Sequence, residues 1–145
     1  MPPRQIIALL LFACLPAMAQ QPAPSALTPA TRAALRYPQP VQVGSLIQRQ
    51  VLRPVEQQNV LGRVASVVRQ PDGAVLVVIN IGGVFGLGTR PVAVPVEAIA
   101  LLGEYVALMD LTPEQLQALP TFTAANTQPL QPDQMIKVGL TRPFH

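Results

Sequence analysis

A glycine-rich bend that runs straight into a proline-studded strand, Gly83 to Val96 (GVFGLGTRPVAVPV), constrains the fold of this chain more than any other segment. Gly82, Gly83, Gly86 and Gly88 permit positive φ and close backbone approach, while Pro91 and Pro95 each remove a ladder donor and so mark an edge strand or a bulge. A phosphate-binding reading of the same glycines needs a Lys-Ser/Thr ending or a helix directly after them. Thr89-Arg90-Pro91 leads instead into Val92-Ala93-Val94-Pro95-Val96. The segment therefore reads as a wide hairpin or barrel corner, with Phe85 and Leu87 packing over an open end.

The N-terminus predicts export. Arg4 precedes the apolar run Ile6 to Leu15, Pro16 breaks that run, and Ala17-Met18-Ala19 supplies the small-x-small pattern cut by signal peptidase before Gln20. The run is far shorter than the roughly 20 apolar residues of a membrane-spanning helix, so no stable membrane span is expected once residues 1–19 are removed. The alternative processing is lipidation at Cys14, since Leu11-Phe12-Ala13-Cys14 loosely resembles a lipoprotein box. If Cys14 leaves with the signal, no cysteine remains for disulfides, thiolate chemistry or a thiolate metal site. Nine basic and seven acidic side chains then remain, too sparse and too even for a nucleic-acid footprint, and Arg49, Arg53, Arg63 and Arg69 lack the aromatic interleaving that would make them one.

Residues 20–40 are rich in Pro, Ala and Gln and read as a linker; residues 121–145, with Pro129, Pro132 and Pro143, read as a tail in which only Met135 to Leu140 suggests a strand. Between them, residues 41–120 form one domain of closely spaced strands. Leu46 to Leu52 and Gly62 to Arg69 are the first two, and Pro71-Asp72-Gly73 then sets a tight hairpin, with Pro fixing φ, Asp bonding the downstream backbone and Gly73 taking the left-handed position. Val75 to Ile81 is apolar everywhere except Asn80, which predicts that both faces of that strand are covered, by the chain's own flanks or by a second copy. Tyr105 to Met109 carries the same implication.

A short helix follows. Thr112 is its N-cap, Pro113 its first residue, and Gln115 completes a capping box, while Pro120 blocks extension and Leu116 and Leu119 share the docking face. These features predict an all-β fold, a small barrel or sandwich, with a short C-terminal helix and flexible flanks.

Leu61-Gly62-Arg63-Val64 opening a strand, Asp72-Gly73 at a hairpin, Gly82-Gly83 with Gly86 and Gly88, and Val92-Ala93-Val94-Pro95 occur in an order that resembles the PRC-barrel domain over roughly residues 41–110. The glycine bend before the Val-Ala-Val-Pro strand is most similar to stand-alone exported bacterial members. The resemblance implies a bent β-barrel and a non-catalytic role in assembly or protein contact, and it supplies no site residues.

Catalytic chemistry has little to draw on. His145 is the single histidine, Asp72 belongs to a turn, Asp110 and Glu114 flank a helix start where negative charge is favourable, and nothing requires Glu97 and Glu104 to meet. No cofactor or metal is expected. The expected function is a periplasmic or secreted module that contacts another envelope protein, with Phe85, Leu87 and Tyr105 as candidate contact residues. A self-associating structural or envelope-stress protein and a small-ligand binder are the alternatives.

Overall fold

A computed structural model describes residues 36–53, 60–83 and 88–140. In chain order these form β1 (Tyr37–Gln42), a helical turn (Val43–Leu46), β2 (Gln50–Leu52), β3 (Val60–Arg69), β4 (Val75–Ile81), β5 (Arg90–Pro95) and a 3-10 turn (Val96–Ala98). Then follow β6 (Ile99–Leu102), β7 (Tyr105–Leu108), a helix (Pro113–Ala118), β8 (Gln128–Pro129) and β9 (Met135–Leu140). The fold is largely strand, gathered into one mixed sheet.

The sheet runs β1-β9-β6-β7-β2-β3-β4-β5, with β8 alongside β3. The β2–β7 and β6–β9 neighbours are parallel and the other pairings antiparallel. Strands from both halves of this path, among them Val77 and Ile79 of β4, Val92 of β5, Val106 of β7 and Val138 of β9, share one core with Val43 and Leu46 of the helical turn. The sheet is thus curled round a single interior. It is not closed into a barrel, because among the described residues no ladder joins its end strands β1 and β5.

Proline accounts for the open seam. Val43 N–H donates to Gln134 C=O (2.9 Å), continuing the pattern in which the odd-numbered residues of β1 bond β9. Pro38 and Pro40 consequently face outward and offer no donor. On β5, Pro91 C=O accepts from Phe122 N–H (2.8 Å), which shows that Pro91, and with it Pro95, faces away from β4. Each strand that would have to pair to close a barrel lacks outward N–H groups at two positions.

Local signals explain the central hairpin. Gly73 takes φ +89, Asp72 Oδ1 accepts from Ala74 N–H (2.9 Å), and Gln70 and Ala74 close the turn. In β3 the register shifts between Val64 and Ser66, so Ala65 is a bulged residue and Val64 and Val67, three apart, both reach the core. Gly62 marks the close approach of β3 to β4: a Cβ there would lie 2.0 Å from Asn80 O.

Three segments differ from the sequence reading. The expected first strand, Leu46 to Leu52, is split: Val43–Leu46 forms a helical turn, Gln48 takes φ +69, and only Gln50–Leu52 is strand. The expected tail is largely structural. Leu130 N–H donates to Val67 C=O (2.9 Å), and β9 buries Ile136 and Val138 while pairing β1 along its full length. The last residues of the expected linker, 37–40, belong to that ladder. β9 has the bounds of the strand suggested at Met135 to Leu140, whereas β1, of linker composition, has no local partner to announce it.

The apolar strands are covered by the chain itself. Val77, Val78 and Ile79 are all buried, as are Val106, Ala107 and Leu108. Residues 122–130 connect the outer edge of β5 to the far edge of β3 and so pass around this three-stranded unit. A second copy is not needed to bury these faces.

Candidate interaction surface

Tyr105, 41% exposed, stands at the start of β7 opposite Leu102. The connecting turn is only Gly103-Glu104, with Gly103 at φ +58, the conformation that a tight hairpin demands at its first central residue. Arg49 pins this turn from the neighbouring segment: its Nη1 donates to Gly103 C=O (2.9 Å) and its Nε to Ser45 C=O (2.6 Å). Ile47, Gln48, Arg49, Gln50, Glu104 and Tyr105 line a shallow cleft of about 390 Å³. An amphipathic aromatic is thereby presented on a braced turn beside a polar groove.

The other sequence-predicted residues are dispersed. Phe85, Leu87 and Gly86 lie outside the described residues. Gly82, Gly83 and Gly88 have φ values of +74, +84 and +75 and border clefts next to Val60 and Leu61. Asp72 and Gly73 are at the β3–β4 turn, remote in the strand order from Tyr105 on β7. Thr112 and Gln115 form a reciprocal capping box, the Thr112 Oγ1 accepting from Gln115 N–H (3.2 Å) and Gln115 Oε1 accepting from Thr112 N–H (2.9 Å). That box fixes the helix whose Leu116 is buried in the core.

Most charged groups with well-defined partners hold structure. Arg90 donates to the Leu119 and Gln117 carbonyls at the end of the helix, where a cation also meets the negative end of the dipole. Hydrogen bonds from the Glu114 backbone N–H and the Thr112 hydroxyl, with a smaller contribution from Arg53, hold the Glu114 carboxyl below the ordinary carboxylate range. Asp110 is not simply a helix-start charge: it pairs with Arg36 at 2.9 Å. Sequence reasoning missed Arg36 because nothing local links it to Asp110.

Among the described residues no group of three or more His, Cys, Asp or Glu is placed to hold a metal ion, and no helix is long and apolar enough to cross a membrane. No protein-family model matches the chain, and no curated protein matches it.

Proposed function

We propose that this chain is a non-catalytic, exported module that contacts another protein of the cell envelope, built on a PRC-barrel-like fold whose seam is left open. The observation that carries the contact reading is Tyr105, exposed on a turn that Arg49 holds from a second segment. A large amphipathic side chain on a braced element loses little conformational freedom on binding, which is why aromatics dominate interface anchors. The order of the glycine bend before β5 and the curl of the sheet round one core support the family-like reading of the fold. The occupation of Arg90, Arg49 and Asp110 by structural partners favours binding over catalysis.

The test places a photo-crosslinking residue at Tyr105 and, separately, at exposed Lys137 on β9, in the full chain expressed in an envelope-bearing host. The reading expects one stoichiometric foreign protein joined through position 105 and not through 137. Only self-adducts through 105 would replace it with the self-associating alternative, and adducts through neither position would remove Tyr105 as the contact.

A further inference from the structure

We infer that β1, the helical turn after it and β9 form a terminal ribbon that opens and closes as one unit, with Arg36 as its clasp. This inference stands independently of the proposed function. Internally the ribbon is tightly tied: β1 and β9 pair from Tyr37↔Leu140 to Gln42↔Met135, and the ties continue through Val43 N–H to Gln134 C=O and Gly44 N–H to Pro132 C=O, each 2.9 Å. Its ladder to the rest of the sheet is much shorter. Among the described residues β1 has no other strand partner, and β9 meets β6 at Ala100↔Gly139 and Leu101↔Leu140, in parallel pairing, which is slightly weaker per residue.

What closes the ribbon is therefore side-chain burial and, among the described residues, two charged side chains that cross to it: Arg36, and Arg49, whose Nε donates to Ser45 C=O (2.6 Å). Val43, Leu46, Ile136 and Val138 enter the shared core. The Arg36 side chain lies across Gly139, where a Cβ would come within 2.9 Å of Arg36 Cβ, and reaches Glu97 C=O (3.0 Å) and Asp110 Oδ2 (2.9 Å). Both acceptors lie outside the ribbon, so this guanidinium crosses the boundary along which the ribbon would part.

Chain bends stand at both ends of that boundary. Gln48, just after the helical turn, takes a left-handed φ of +69 that a residue with a Cβ adopts at a cost. On the other side Gln134 N–H donates to Gln131 C=O (3.0 Å) in a tight turn. Opening about these points would bare the β6 edge, which carries no proline, whereas the outer edges of the closed sheet carry Pro38 and Pro40 or Pro91 and Pro95. The ribbon thus covers the edge most able to accept another strand.

Native-state hydrogen exchange on the full chain tests this, comparing the natural sequence with Arg36→Gln. Amides of Gln39, Val41 and Val43 should exchange together at one rate, faster than those of Val77 and Ile79, through an opening that exposes less surface than global unfolding. Arg36→Gln should speed the ribbon amides by about tenfold or more, and Val77 and Ile79 by a similar factor where they exchange through global unfolding, because the lost contact exists only in the closed state. Exchange of β1 at the same rate as β4 in the natural protein would overturn the inference without any variant. So would an Arg36→Gln variant that speeds Val77 and Ile79 but not the ribbon amides, since the Arg36 contact would then survive the opening.

Discussion

The Arg36 guanidinium and the Asp110 carboxylate meet at 2.9 Å across 74 residues of chain, with the aspartate side chain only 4% exposed and the arginine 15%. Such a pair is weak evidence of net stabilisation, since both ions were removed from water, but removing one partner leaves the other buried and uncompensated. Asp110→Ala should therefore destabilise the protein by about 3 kcal/mol in urea unfolding. The double variant Arg36→Met/Asp110→Leu should cost clearly less than the sum of Arg36→Met and Asp110→Leu. Additive losses would show that the two side chains act separately.

Gly62 offers a steric test of the close approach of β3 to β4. An added Cβ would sit 2.0 Å from the Asn80 carbonyl oxygen and 2.9 Å from its carbon, and backbone cannot swing aside as a side-chain end can. Gly62→Ala should cost about 3 kcal/mol, at the upper end of overpacking effects, read as a lowered urea midpoint. A neutral substitution would mean that the strands meet less closely there.

Gln48 predicts the opposite sign. Its φ of +69 carries a penalty that glycine avoids, partly offset by the greater freedom of glycine in the unfolded chain. Gln48→Gly should raise stability by about 0.5–1 kcal/mol, measured by chemical denaturation.

The helix start gives the pH prediction. Because hydrogen bonding lowers the Glu114 pKa in the folded state, its contribution is present above the unfolded-state pKa and disappears as pH falls through the folded value. The natural protein should exceed Glu114→Gln in stability near neutral pH, and the two urea midpoints should converge as pH falls from about 7 to about 3. A gap that stays constant over that range would assign the effect to something other than the carboxylate charge.

The proline-marked seam predicts a change in association. Replacing Pro91 and Pro95 together with Val restores two outward N–H donors on an end strand. Light scattering should detect concentration-dependent association of the double variant under conditions in which the natural protein shows less.

These residues also show what a sequence can disclose. The turn at Asp72-Gly73 and the box formed by Thr112 and Gln115 depend on neighbours within a few positions, and the unbroken apolar run of β4 states its own burial. The strand Tyr37–Gln42 states nothing: with two prolines and two glutamines it has linker composition, and it becomes a strand only because β9 supplies a partner from the far end of the chain. Arg36 with Asp110, and the left-handed Gln48, are invisible for the same reason. Of the candidate surface, Tyr105 could be singled out as an aromatic beside a glycine turn, but its brace, Arg49, is brought there by the curl of the sheet.

Tyr37 pairs with Leu140, so the start of β1 and the end of β9 stand side by side. A pull applied at Tyr37 and Leu140 would load the β1–β9 ladder one bond at a time, like a zipper, rather than shearing all its bonds together. The ladder is therefore built to yield at low tensile force between these two positions.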